Sequence, residues 1–233
     1  MRLAKYLAHA GIASRRRSEE LIASGAVTVG GELVTDPARD VDEKSGVALD
    51  GEPVRPEPRE VWILHKPLDV VSTAREPGRR QAVTDLVPSR RRLYPVGRLD
   101  ADSTGLILLT NDGELANRLT HPRYGVERTY RAALRKPPTA TQLARFRNGV
   151  ELEDGLTRKA KVRRSGKRGV EITMREGRNR QIRRMAEAVG NEVVSLKRIR
   201  FGSLALDRLP EGDAKKLSGA QVKALWKDSG LDQ

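Results

Sequence analysis

The sequence predicts an α+β protein in two parts. A small helix–helix–hairpin unit covers residues 1–51. After a linker at 52–59, a larger unit covers 60–233, with a mixed, mainly antiparallel sheet flanked by helices. Three observations lead there. Strand-like apolar runs and amphipathic helical runs intermix in the larger part without the regular alternation of a doubly wound fold. The stretch EPVRPEPR (52–59) holds three prolines, which bar a helix and suit a semi-rigid linker. Charge also divides there: residues 1–51 carry seven basic and eight acidic side chains, whereas the chain as a whole has a formal charge of +14. Residues 52–233 therefore hold a net +15.

The elements follow in order. Leu3, Tyr6, Leu7 and Ala10 have helical spacing, and Gly11 is a stop. Ser14 caps a second helix whose first turns hold Arg15, Arg16 and Arg17, with Leu21 and Ile22 inward and Gly25 at its end. VTVGGELV (27–34) reads as a hairpin around Gly30 and Gly31. In the larger part, strands are expected at 61–64, 105–112, 128–134, 170–174 and 192–196. Helices are expected after Asp112, over 140–146, over 179–189 with Asn179 as cap, and over 218–227.

Composition narrows the chemistry. The chain has 233 residues, a sequence pI near 10.5 and 33% charged residues, so a polyanion is the expected partner. There is no cysteine, which excludes disulfides and a thiol nucleophile. Three scattered histidines (His9, His65 and His121) make a metal site improbable. Aromatic residues are only 3%, too few for binding single strands mainly by stacking. The opening MRLAKYLAHAG is too short and polar for a signal peptide, and no apolar run approaches the ~20 residues that span a bilayer. The expectation is a cytoplasmic monomer without a membrane association.

Two segments are dense in possible chemistry. In GRLDADSTGLILLTND (97–112), Asp100 stands between an arginine-bearing turn and a buried strand. Such an aspartate can be a nucleophile, a base or a turn residue, and isolated ones are most often turn residues. In REGRNRQIRRMAEAVG (175–190), Arg180, Arg183 and Arg184 share a helix face away from Ile182 and Met185. That patch can grip phosphates or hold a carboxylate ionised. Arg15, Arg16 and Arg17 repeat the theme at a helix start, where an external phosphate would suit the dipole better than three cations.

These segments carry a resemblance. RLAKYLAHAGIASRRRSEELIASGAVTVGGELV is similar to the alpha-L type RNA-binding domain first recognised in a small-subunit ribosomal protein. Lys5, Ser14, Arg15, Arg16 and Arg17 stand at its RNA-facing positions. GRLDADSTGLILLTNDGELANRLTHP, VERTYRA and EGRNRQIRRMAEAVGNEVVSLKRIRFG resemble the ribosomal-RNA pseudouridine synthases, and RNRQIRRM resembles their large-subunit branch. Nearly the whole chain takes part, including Lys66-Pro67 after the first strand. Relatives often have Asn where His65 stands, Thr at Ser103 and Lys at Arg128.

The resemblance implies site roles. Asp100 matches the catalytic aspartate. Tyr130 matches the tyrosine that packs on the target uracil and is placed to move a proton. Arg183 matches the residue paired with the aspartate, Leu196 the apolar wall of the base pocket, and Arg98 the residue beside the flipped nucleotide. Arg180 and Arg184 extend the substrate-binding patch, and Lys66 is expected to contact RNA. The implied reaction extrudes a uridine from its helix, breaks its glycosidic bond, turns the base and rejoins it through carbon. Asp100 would act at the sugar, at the uracil ring, or through a glycal intermediate. No cofactor or metal is needed, and the implied partner is ribosomal RNA or a pre-ribosomal particle. Two rivals remain at this stage. One is a non-catalytic RNA-binding assembly factor. The other is a hydrolase using Asp100 and Asp102, whose spacing ill suits opposed carboxylates.

Overall fold

The computed structural model describes residues 1–74, 78 and 80–231, which separate into two compact units. The first comprises Met1–Glu60 with the short segments Ser89–Arg92 and Asn111–Gly113. Helix α1 (Leu3–His9) buries Leu3, Tyr6 and Leu7. Helix α2 (Arg15–Ala23) is capped by Ser14, whose side chain accepts from Arg17 N at 3.2 Å. Of the expected inward pair on α2, Ile22 is fully buried and Leu21 only partly.

The hairpin forms as β1 (Val27–Val29) and β2 (Glu32–Leu33). Two further strands, β3 (Val47–Leu49) and β4 (Glu52–Pro53), complete a four-stranded sheet in the order β2-β1-β3-β4. Glu52 and Pro53 thus pair with Leu49 and Ala48 instead of starting the linker. Pro53 is tolerated because β4 is an edge strand.

The second unit holds a nine-stranded sheet. Its strands are β5 (Val61–Lys66), β6 (Tyr94–Val96), β7 (Thr104–Thr110), β8 (Arg128–Leu134), β9 (Lys161–Arg164), β10 (Gly169–Met174), β11 (Val193–Phe201), β12 (Leu204–Ala205) and β13 (Ala214–Lys216). The path runs β13-β5-β7-β11-β8-β10-β9, with β12 on β11 and β6 on β7. Among the described strands only β7 and β11 run parallel, so the sheet is mixed and mainly antiparallel, as expected.

That parallel contact depends on Gly105. Its φ is +108°, and a Cβ there would lie 2.6 Å from Arg198 N. Only glycine allows so close an approach of β7 to β11.

Helices α3 (Gly113–Thr120), α4 (Ala140–Asn148), α5 (Gln181–Ala188) and α6 (Gly219–Asp228) flank the sheet. Leu143 and Phe146 of α4 and Ile182 and Met185 of α5 pack on Ala132, Leu134, Val170 and Ile172. Leu115 and Leu119 of α3, with Leu225 and Trp226 of α6, cover Leu106 and Leu108. A third cluster joins Leu64, Ile107 and Leu109 to Leu99, which thereby anchors the loop leading into Asp100.

Candidate active site

The turn carrying Asp100 is pinned from both sides. Leu99 is buried, and Ser72 brackets its peptide: Leu99 N donates to Ser72 Oγ at 3.0 Å, and Ser72 Oγ donates to Leu99 O at 2.7 Å. Asp69 N donates to Ala101 O at 2.9 Å, and Ser103 N to Asp100 O at 3.1 Å. Beneath the turn lies Lys66, fully buried, its Nζ donating to Pro67 O at 2.7 Å and approaching Ala101 O at 3.5 Å. Burial pushes its pKa down to about 8, against the raising influence of Asp69, Asp102 and Asp100. A side chain so enclosed cannot grip a phosphate, so the expected RNA contact at Lys66 is corrected: it supports the turn from within.

Asp100 itself is neither sealed nor free, with 31% of its side chain exposed. It lines a cavity of about 440 Å³ together with Arg98, Tyr130, Arg180, Leu196 and Arg198. Tyr130 on β8 and Leu196 on β11 turn to the same face of the sheet as buried Ala132. Arg98 stands exposed in the turn ahead of Asp100.

The arginines are arranged differently from the sequence expectation. Asn179 does not cap α5. Arg180 holds the cap position, in the left-handed region at φ +47°, a conformation that costs a non-glycine residue about 1 kcal/mol. From there its guanidinium reaches Asp102 at 3.0 Å and Asp100 at 3.9 Å.

Arg183, expected to pair with Asp100, instead serves Asp102 and the backbone. Its Nη2 lies 2.9 Å from Asp102 O and 3.3 Å from the Asp102 carboxylate, and its Nη1 donates to Val193 O at 3.0 Å. It is nearly buried and does not line the cavity. Arg184 turns away to Asp154, with contacts of 2.9 and 3.1 Å, and also lies outside the cavity lining. The shared basic face therefore splits, Arg180 and Arg183 converging on Asp102 from different sides and Arg184 leaving for Asp154, because Arg180 precedes the helix and Arg183 lies on its buried side.

Arg198 escaped sequence reasoning, and Asp102, weighed there only as a second carboxylate of a hydrolase, has a different place in the site. Asp102 is held by Arg180 and Arg183. Burial acts to raise its pKa, but the Arg180 hydrogen bond and both positive charges outweigh it and keep the carboxyl below its usual range. Arg198 is 2% exposed, donates from Nε to Leu106 O at 2.6 Å, and lies 6.0 Å from the centre of the Tyr130 ring. The available signal was parity: Arg198 shares a strand face with Leu196, a position where a cation is unexpected.

In the first unit, Ser14 and Arg15, Arg16 and Arg17 are exposed and Lys5 is half-buried. Arg17 pairs with Glu20 at 2.6 Å and Arg15 with Glu19 at 3.9 Å.

Residues 60–188 match the family model described as RNA pseudouridylate synthase, and residues 1–47 match the S4 domain. The chain belongs to the RNA pseudouridylate synthase family. It is 42% identical to the ribosomal large subunit pseudouridine synthase B of Bacillus subtilis, over 96% of this chain and 95% of that protein. It is 40% identical to an uncharacterized RNA pseudouridine synthase of Aquifex aeolicus, over 99% and 96%. A crystal structure of a pseudouridylate synthase superposes with a TM-score of 0.71 at 30% identity, covering 97% of this chain and 99% of that one. This pseudouridine synthase thus combines an N-terminal S4 domain with a catalytic domain on a mixed sheet.

Proposed function

We propose that the chain converts one uridine of large-subunit ribosomal RNA to pseudouridine, with Asp100 as the essential carboxylate. The observation that carries this reading is the placement of Asp100. It is partly exposed at the wall of a cavity that also holds Tyr130 and Leu196, with a guanidinium 3.9 Å away. The cavity falls in the range of small-ligand pockets, about 300–1,000 Å³. Its mixed lining suits a flipped base: Leu196 and Tyr130 offer apolar surface, while Arg98 and Arg180 offer cations to the phosphates that flank it.

The isomerisation breaks the bond from N1 to the anomeric carbon and forms one from C5 to that carbon. The C5 proton must leave, and N1 ends protonated. Asp100 assists cleavage of the first bond, and the Tyr130 hydroxyl, in the same cavity lining, is the group we assign to moving the proton. Asp102 and Arg183 act one layer out, by setting the turn and the Arg180 guanidinium. The B-type relatives point to the large subunit as the RNA source. The enzyme would act as a monomer in the cytoplasm, where that RNA is assembled. Lys5, Ser14, Arg15, Arg16 and Arg17 form the proposed RNA-contacting edge of the S4 domain.

The test is a pseudouridine map of ribosomal RNA from cells with and without the gene, and from cells carrying Asp100→Asn. One large-subunit position should lose its pseudouridine in both altered strains, while the purified variant still binds the RNA. Retention of every pseudouridine in the Asp100→Asn strain would refute the assignment.

A further inference from the structure

The face of the sheet opposite Tyr130 is open along β9, β10, β8 and β11. Register places its side chains in two cross-strand rows. Arg163, Glu171, Arg131 and Lys197 form the first, and Lys161, Thr173, Thr129 and Arg200 the second. None of these eight joins a hydrophobic cluster among the described residues. The rows hold five cations against one carboxylate, a net +4.

Glu171 is already committed, accepting from Arg131 at 2.8 Å and from Arg163 at 2.8 Å. Glu127, at the border, is shared by Lys161 at 2.8 Å and Arg175 at 3.0 Å, and the second cation offsets its charge. The side chains of Lys197 and Arg200 make no hydrogen bond or ion pair among the described residues. Cations on an edge strand commonly guard against edge-to-edge pairing, which accounts for Lys161 and Arg163 on β9. It does not account for Arg131, Lys197 and Arg200, which lie on inner strands.

We infer that this face docks the phosphate backbone of a second helical arm of the folded RNA substrate, remote from the flipped uridine. The chemistry favours backbone over bases. Between the cations stand Thr129 and Thr173, whose hydroxyls bond each other at 2.8 Å. No aromatic ring lies in either row, so the face offers charge and hydroxyls but no stacking platform. Successive side chains alternate across a strand, so Tyr130 and its neighbours Thr129 and Arg131 point to opposite sides. The RNA held here is therefore a different segment from the one entering the cavity. The inference rests on the ribosomal-RNA reading above.

The test uses the full chain and an in-vitro transcript of complete large-subunit ribosomal RNA. Lys197→Gln/Arg200→Gln and the charge-reversed Lys197→Glu/Arg200→Glu leave the Glu171 pairs intact. Melting temperatures should match the parent. Affinity should fall about tenfold in the reversed pair, and the slope of log K against log salt should shrink by about 1.4–1.8, the scale of two lost phosphate contacts. Pseudouridine formed at saturating enzyme should be unchanged. Folded variants with parental affinity and slope would overturn the proposal and favour a protein as occupant of this face. The binding readout requires no isomerisation, so it succeeds or fails independently of the catalytic assignment.

Discussion

Arg180 Nη2 stands 3.0 Å from Asp102 Oδ2, and the same guanidinium lies 3.9 Å from the Asp100 carboxylate. Asp102 thus acts as a tether that holds Arg180 beside the proposed catalytic group. Arg183 completes the tether by bonding both the carboxylate and the backbone carbonyl of Asp102. Asp102→Asn should therefore lower kcat while leaving KM for RNA nearly unchanged, because Arg180 loses its anchor but the cavity walls remain. A tenfold to hundredfold loss is about what a displaced charge-assisted contact costs. Arg180→Gln should fall in the same range. The double variant should be little worse than either single one, because both disable one device. Single-turnover rates of pseudouridine formation check this, and multiplying effects would show the two residues to act separately.

Lys66 gives a stability signature with a defined direction. Its folded pKa of about 8 lies below the ordinary 10.5. Below pH 8 both folded and unfolded chains carry the proton, and the cost of burying the charge is fully present. Between pH 8 and 10.5 the folded chain releases the proton while the unfolded chain keeps it, so stability from this group rises with pH. The difference corresponds to about 3 kcal/mol. Lys66→Met removes that titration. Urea unfolding of parent and variant at pH values from 7 to 10.5 should show their difference moving in the parent's favour as pH rises. A difference independent of pH would contradict the buried, ionisable state of Lys66.

The legibility of this molecule in its sequence was uneven, for physical reasons. The helices and most strands follow period and caps: Ser14, Thr139 and Ser218 each accept from the backbone N–H three residues on. Strands β3 and β4 were missed because they are three and two residues long and one contains Pro53. The expected strand at 192–196 runs on to Phe201, because Lys197, Arg198 and Arg200 interrupt the apolar run without breaking the ladder. At the site, motif resemblance drew attention to Asp100 and Tyr130, which line one cavity. The partner of each arginine was not legible. Helical spacing assumes regular backbone, and the left-handed φ at Arg180 redirects the first of the three. Lys66 was expected to contact RNA from its place in the Lys-Pro of the family pattern, although it ends a strand whose last four residues are buried.

Gly105 offers a test of how the fold sets the site at a distance from the chemistry. Its missing side chain lets β7 lie against β11 at Arg198, with Lys197 paired to Thr104 and Arg198 to Gly105. Arg198 in turn bonds Leu106 O and lies 6.0 Å from the Tyr130 ring. Gly105→Ala would bring a methyl to within 2.6 Å of Arg198 N, at a φ of +108° that alanine rarely adopts. Overpacking against backbone and a disfavoured φ each cost about 1–3 kcal/mol, so a loss of roughly 3–5 kcal/mol is expected. The methyl meets backbone, so a side-chain rotation cannot relieve it. Arg198 and Tyr130 must shift with the strand, and kcat should fall further than the unfolded fraction explains. Arg198→Lys separates the two effects. It keeps a cation and leaves the Gly105 contact untouched, so stability should change less than in Gly105→Ala while the packing under Tyr130 loosens. Denaturation curves paired with rates corrected for folded enzyme make the comparison. A Gly105→Ala protein with parental stability would mean that β7 and β11 do not approach as closely as the structure has them.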